Sequence, residues 1–339
     1  MMKEEIISQL ESMRRQESGP YACRDYFNQQ RSDSKECQFG TPTPLQNTKW
    51  SNKSSSQQST PLRPSSRKKM IEWCYQIADQ CKFERESIAI AISYLDRFLM
   101  TKSGAPALYD RKTFQLVAMT CLYTAIKLFE QEVIDPSIVV HLSRGTYTED
   151  DVTGMEMIIL SALQWRVQPP TAMAFVGHFL ALADVTEQTK NLIMEVARVQ
   201  VENAVIEHNF MNVKPSMIAA ASILNTIHLM DRNSLPDGSR CSLSLVLEQH
   251  GSNRFIYGTE MMNFRERLLD TVKGDNEVSS KEQQVTTTAC KTSSSTTMST
   301  SVQNNKTVSQ ISVERGSRQF LDSLVSLFPN VLKASGQFW

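Results

Sequence analysis

The chain has 339 residues, with 36 Lys and Arg against 36 Asp and Glu, so its formal net charge is zero. That balance gives no sign of a nucleic-acid-binding or membrane-surface protein, and partners have to be sought in local patterns. The length accommodates two domains of ordinary size, or one helical unit with long tails.

The 7 cysteines are odd in number and scattered, with no CxxC pair and no histidine at zinc-finger spacing, which fits a reducing compartment. The opening stretch MMKEEIISQLESMRRQE is too charged for a signal peptide. The longest apolar run, around residues 172–185, contains His178 and falls short of a membrane span. A soluble intracellular protein with no membrane partner is expected.

In chain order, Ile6, Ile7, Leu10 and Met13 recur at helical spacing among charges, predicting an amphipathic helix over residues 2–16 that docks on its own domain or on a partner. Gly40 to Ser66 is rich in Ser, Thr, Pro and Gln with almost nothing to bury, and reads as a disordered linker. Order is expected from Arg67, where Met70, Trp73, Cys74, Ile77, Ala78 and Cys81 mark one face of a first helix. A second helix is predicted over 84–100 and a third over 111–131. Asp135 before Pro136 opens a short fourth helix over 137–143, and a fifth runs from Thr148 to Trp165 with Thr148 as its cap. The run PPT at 169–171 breaks the chain. A second helical series follows at 172–183, 187–209, 215–231, 242–250 and 259–272. No alternating strand pattern interrupts these, so the fold class is all-α. From Gly274 the sequence is hydroxyl-rich and predicted to be unstructured. The terminal stretch again carries apolar residues at helical spacing, namely Phe320, Leu321, Leu324, Val325 and Phe328.

Motifs for chemistry are missing. The sequence has no GxGxxG, GxxxxGK[ST], HExxH or GxSxG, and no ExxH in the two helical series. The histidines fall singly, and His178, on an apolar helix, reads as a satisfied interior residue. No metal, no cofactor and no catalytic residue is expected. One charge stands out. In FQLVAMTCLYTAIKLFE, residues 114–130, Lys127 is the only basic residue, and a helix this apolar should be buried over most of its circumference. An unpaired ammonium there would cost several kcal/mol, so Lys127 needs a partner.

Four stretches, RKKMIEW (67–73), YLDRFL (94–99), FQLVAMTCLYTAIKLFE (114–130) and MEMIILSALQWRVQPPT (155–171), together resemble the cyclin box in order and spacing. KPSMIAAASIL (214–224) resembles the central helix of that family's second fold. The resemblance implies two tandem five-helix folds: an N-terminal helix and linker over 1–66, a first cyclin fold over 67–168, a second over 169–273 and a tail over 274–339. It implies a non-catalytic subunit that binds and activates a cyclin-dependent kinase in cell-cycle control, in the nucleus and cytoplasm. Kinase substrates or inhibitors are further expected partners, and nucleic acid is not.

By motif, Lys127 and Glu156 would face the kinase, surrounded by Thr124, Phe129, Leu160, Trp165 and Val167. Arg67 and Asp96 match a structural ion pair of the family. The substrate-docking patch on helix one is degenerate. Met70, Trp73, Phe114 and Gln115 stand at expected places, but Ser66 and Lys69 replace apolar residues, which weakens docking of Arg-x-Leu segments. The ALQW ending of helix five leans towards the D-type or G1 class. Thr60, in TPLR, fits the pattern that such kinases phosphorylate, and Thr41 and Thr43 also precede proline. Arg67 to Lys69 form a basic cluster of the kind that serves nuclear import. The rival functions are a transcription-associated cyclin fold, which would bring a zinc ribbon and a basic DNA-facing surface that the sequence lacks, and a scaffold that does not activate a cell-cycle kinase.

Overall fold

The computed structural model describes residues 2–28, 61–131, 134–251 and 258–286. Thr41, Thr43, Thr60 and the apolar segment 320–328 lie outside the described residues, as does the tail beyond 286. Among the described residues there are helices and no strands. We label the helices α1 (Met2–Ser18), α2 (Pro64–Cys81), α3 (Arg85–Leu99), α4 (Arg111–Phe129), α5 (Ser137–Leu142), α6 (Glu149–Ala162), α7 (Ala172–Leu182), α8 (Glu187–Ile206), α9 (Pro215–Leu229), α10 (Asp237–His250) and α11 (Thr259–Thr286).

Two helices are apolar all round and each becomes the axis of a five-helix fold. In α4, every residue from Leu116 to Ile126 is buried, and α2, α3, α5 and α6 pack around it. In α9, Ile218 to Thr226 are buried, and the small residues Ala219, Ala220, Ala221 and Ser222 let α7, α8, α10 and α11 approach closely. The helices start where short polar side chains satisfy the first free N–H groups. Asp110 accepts from the amides of Lys112 and Thr113, Thr171 from Ala174 and Thr186 from Thr189. Thr148 and Asp151 form a reciprocal capping box at α6.

Several boundaries depart from the sequence reading. Order begins before Arg67: Leu62 is buried, its N–H donates to the Leu108 carbonyl at 2.7 Å, and α2 starts at Pro64. Proline suits the first helical position, where its missing N–H is not needed, and the Ser/Pro-rich composition disguises this as linker. At the other end, α11 continues through Gly274 to Thr286, where the composition predicts an unstructured tail. A single glycine weakens a helix by about 1 kcal/mol without ending it, and the Lys, Glu and Gln that follow are helix formers. Helix α10 starts at Asp237 rather than Ser242, and α8 gives way to a 3-10 turn, His208–Phe210, earlier than predicted.

Polar contacts tie the two folds along α8 and at the start of α7. Lys68 meets Glu207 at 2.6 Å, Arg85 forks onto Glu202 at 2.8 and 2.7 Å, and the Thr171 hydroxyl donates to Glu86. Helix α1 packs on α7 of the second fold, with Leu10 in the core and Ile6, Ile7 and Met13 partly buried. The buried Glu17 accepts from the N–H and hydroxyl of Ser216 at the start of α9, at 2.9 and 2.6 Å. Burial holds the Glu17 carboxyl above its ordinary range, against the lowering effect of those bonds and of Lys214. His178 is half-buried rather than interior, with both ring nitrogens partnered, by the Ala174 carbonyl and by Gln9 of α1.

Gly104, in the turn after α3, sits against that helix's last carbonyls. A Cβ there would lie 2.0 Å from the Phe98 oxygen. Gly104→Ala is therefore expected to lower stability by about 2 to 3 kcal/mol in a urea titration, because backbone has to move.

Candidate functional site

Helix α4 does not stay buried to its end. It is enclosed as far as Ile126, and then Lys127, Leu128 and Phe129 emerge into solvent in the last turn. The Lys127 side chain is 46% exposed, where the sequence predicts a buried lysine, because the helix outruns the neighbours that cover its middle. Its partner is Glu156 of α6, whose side chain is only 10% exposed. Lys127 Nζ lies 3.2 and 3.0 Å from the two carboxylate oxygens. The hydroxyl of Thr124 donates to Glu156 Oε1 at 3.2 Å from below. Partial desolvation disfavours the ammonium, but the hydrogen bonds and charge of Glu156 outweigh it and hold Lys127 above its ordinary pKa. The Tyr123 ring, 5.4 Å from Nζ, adds a cation–π contact. The result is an ammonium anchored at its base and open on its outer side, beside an anchored carboxylate.

The predicted neighbours divide by depth. Thr124, 1% exposed, and Leu160 lie under the surface, where they support the pair and cannot form its apolar rim. Phe129 and Trp165 are exposed, and Trp165 stands out at 61%. Val167 is partly buried against the first core. Leu128 and Met157, each beside one member of the ion pair, are also exposed, and sequence reasoning passes over them. Met157 has a legible signal: it is an apolar residue off the face defined by Val152, Met155, Ile159 and Leu163.

Trp165 owes its exposure to how α6 ends. The helix stops at Ala162, three residues short of the predicted end. The Trp165 N–H returns to the Leu160 carbonyl at 2.9 Å and the Gln164 N–H to Ser161 at 3.0 Å. This is a Schellman turn, normally closed by glycine, but here Gln164 and Trp165 take φ of +54° and +58°. Such left-handed backbone in residues other than glycine costs on the order of 1 to 3 kcal/mol each and persists only where surrounding structure imposes it. Helix α3 imposes it: the Tyr94 hydroxyl donates to the Val167 carbonyl, and Arg97 Nη2 to the Arg166 carbonyl at 3.0 Å. Burial lowers the Arg97 pKa, and the rings of Tyr21 and Tyr94 lie 4.6 and 5.8 Å from its guanidinium. Tyr94→Phe leaves the Val167 carbonyl short of a donor and should cost about 1 to 3 kcal/mol by thermal unfolding.

Arg67 and Asp96 meet as a fork, with Nε to Oδ1 at 2.9 Å and Nη2 to Oδ2 at 2.6 Å. Arg67 has further partners: its Nη1 reaches the carbonyls of Val205 and Ile206, both at 3.1 Å, at the negative end of α8. The Tyr26 hydroxyl donates to Asp96 Oδ1 at 2.9 Å. Burial disfavours the Arg67 charge, yet Asp96 more than compensates and raises its pKa. Of the basic cluster at 67–69, Arg67 is buried and Lys68 pairs with Glu207.

Of the predicted docking patch, Met70, Trp73 and Gln115 line a groove between α2 and α4. Phe114 does not: it is fully buried in the first core, on the inner side of α4. Ser66 and Lys69, the polar replacements named from the sequence, line it too; Arg63, Ser65, Arg111, Met119 and Leu142 complete the lining, and none of these five is predicted from the sequence. Among the described residues no group of His, Cys, Asp or Glu could hold a metal, and no helix is long and apolar enough to cross a membrane.

Two stacked five-helix folds, joined by a buried arginine that forks onto Asp96 and reaches the end of α8, define an all-helical tandem-repeat protein. The sequence matches the cyclin N-terminal domain family over residues 43–168 and the cyclin C-terminal domain family over residues 170–249. The chain belongs to the cyclin family.

Cyclin-A1-2 of Oryza sativa subsp. japonica is 28% identical over 165 residues, 48% of this chain and 33% of that protein. The G1/S-specific cyclin-D1 of Xenopus laevis is 30% identical over 162 residues, 48% of this chain and 54% of that protein. The chain thus matches about a third to a half of the length of these relatives, and A-type and D-type cyclins match it about equally. The crystal structure of a viral cyclin from herpesvirus saimiri shares the fold at a TM-score of 0.50 and 22% identity, over 63% of this chain and 86% of that one.

Proposed function

We propose that this cyclin binds a cyclin-dependent serine/threonine kinase through the ends of α4 and α6 and activates it allosterically, in cell-cycle control, in the nucleus and cytoplasm. The observation that carries the reading is the Lys127–Glu156 pair. A buried carboxylate holds a half-exposed ammonium at the rim of a surface where Leu128, Phe129, Met157 and Trp165 leave apolar area open. Buried groups that satisfy only one another would not be placed at such an edge. Lys127 keeps donor capacity on its outer side for backbone carbonyls of a partner, and the apolar residues supply the area that drives association. The buried surface should be on the order of 2,000 Å² in total, as in signalling assemblies.

In this mechanism the cyclin supplies no reacting group. It holds the kinase's regulatory helix inward, which completes the Lys–Glu ion pair of the kinase active site and frees the activation loop. The test is co-purification with cyclin-dependent kinases and a histone phosphorylation assay, comparing the natural chain with Lys127→Ala combined with Glu156→Ala. Both association and activity should fall to background while the helical circular dichroism is kept. Retained association would overturn the reading, and association without stimulated phosphorylation would make the chain a scaffold.

A further inference from the structure

We infer that the segment after α1, residues 19–26, is a positioning element for partner binding: Tyr21 seats Arg97, and Arg97 holds the left-handed turn that carries Trp165. Arg97 is 5% exposed and has no carboxylate partner among the described residues. Its Nε bonds stay within α3, to the Ser93 carbonyl and hydroxyl at 3.2 and 3.3 Å, and its reach to another part of the chain is the 3.0 Å bond from Nη2 to the Arg166 carbonyl. A buried guanidinium is costly unless paired. In place of a carboxylate this one has aromatic faces, and the Tyr21 ring, 4.6 Å away, is nearer than that of Tyr94 at 5.8 Å. Without the Tyr21 ring the cation would turn toward water and give up the Arg166 carbonyl.

Tyr21 is fixed on both sides. Before it, Glu17 is held by Ser216 of α9, and the Tyr21 N–H itself donates to the Gln16 carbonyl at 3.1 Å. After it, the Arg24 N–H meets the Met100 sulfur at 3.1 Å and the Tyr26 hydroxyl reaches Asp96. The segment thus grips two consecutive residues of α3. Tyr26 holds Asp96, whose partner Arg67 reaches the end of α8, and Tyr21 holds Arg97, which reaches the Trp165 turn. The turn needs such a clamp because Gln164 and Trp165 hold φ of +54° and +58° where glycine is the usual residue, a shape kept only while neighbours impose it. The Trp165 ring, 61% exposed, is placed by its backbone rather than by packing. That Trp165 meets a kinase rests on the function proposed above; that Tyr21 sets its turn does not.

The experiment takes the full chain through two measurements, hydrogen exchange by mass spectrometry without kinase and kinase association by biolayer interferometry. In Tyr21→Ala the amides of Gln164 and Trp165, bonded to Ser161 and Leu160, should exchange roughly tenfold faster while those of the α4 core are unchanged. Tyr21→Phe, which keeps the ring, should match the natural chain. Association should weaken about fivefold in Tyr21→Ala, because an anchor that has to be ordered on binding costs affinity. In a Trp165→Ala background the same change should add nothing. Adding Gln164→Gly to Tyr21→Ala should restore association, because glycine keeps the left-handed turn without a clamp. Unchanged exchange at 164 and 165, or faster exchange throughout the chain, overturns the inference. So does an association that Tyr21→Ala leaves unchanged while Trp165→Ala weakens it. A loss that persists in the Trp165→Ala background or resists Gln164→Gly would make Tyr21 a direct partner contact, and equally overturns the positioning role. Faster exchange of the turn, with association indifferent to Tyr21→Ala, to Trp165→Ala and to the combined Lys127 and Glu156 variant, supports the clamp and overturns the kinase reading instead.

Discussion

Arg67→Ala should lower the stability of the chain by about 3 to 5 kcal/mol, the usual consequence of removing one member of a buried, hydrogen-bonded charge pair. The side chain is 2% exposed, and its loss strips the fork from Asp96, a buried carboxylate that then relies on the Tyr26 hydroxyl. The carbonyls of Val205 and Ile206 lose their guanidinium donor at the same time. Set against a typical total of about 5 to 15 kcal/mol, that is a large fraction, and it should appear as a drop in melting temperature on the order of 10 °C. Circular dichroism during heating measures it. Kinase association, assayed in the cold where the variant remains folded, should be nearly unchanged, because Arg67 acts inside the molecule. A loss below about 1 kcal/mol would show that the fork contributes little beyond packing.

Trp165→Ala should have the opposite profile. A large exposed tryptophan is the residue type that dominates association energies, and its truncation is expected to weaken kinase binding by about thirtyfold or more, equivalent to about 2 kcal/mol. Stability should move by no more than about 0.5 kcal/mol, since the ring makes little contact with the rest of the chain. Trp165→Gly sharpens the test. At a φ of +58° glycine relieves left-handed strain, so this variant should gain up to about 1 kcal/mol in stability while losing the same binding. Gln164→Gly should gain stability and leave binding intact. If Trp165→Ala binds kinase as the natural chain does, the anchor lies elsewhere on the face, with Phe129 and Leu128 the next positions to replace.

The fold is legible where periodicity speaks. The all-round apolar character of FQLVAMTCLYTAIKLFE and of the Ala-rich stretch after Lys214 marks the two central helices, and the amphipathic helices around them follow at 3.6 spacing. What escapes the sequence is set by distant backbone. Nothing local tells Arg67 that it will reach carbonyls at the end of α8, because those partners are 138 and 139 positions away and any residue would supply them. The end of α6 escapes for another reason: a turn that ordinarily advertises itself by glycine is closed here by Gln164, so the helix reads on to Trp165 and hides the feature that turns the ring outward. Lys127 is legible as a residue in need of a partner, but its exposure depends on where α4 outlasts its neighbours, which is a property of packing. The groove on α2 reads as weakened, since Ser66 and Lys69 remove apolar contacts. Its cationic character emerges only when Arg63 and Arg111, far apart in sequence, come to border the same space.

The placement of α1 bears on how the protein can be handled. Cutting the chain back to its two repeats would strip Ile6, Ile7, Leu10 and Met13 from α7 and take Glu17 away from Ser216, baring a greasy strip along one repeat and an amide without an acceptor on the other side of it. The same cut would remove Tyr26 from Asp96. A shortened version designed for crystallisation would therefore be prone to precipitate, and the opening segment, which looks dispensable from its charge-rich letters, is best kept as the lid of the molecule.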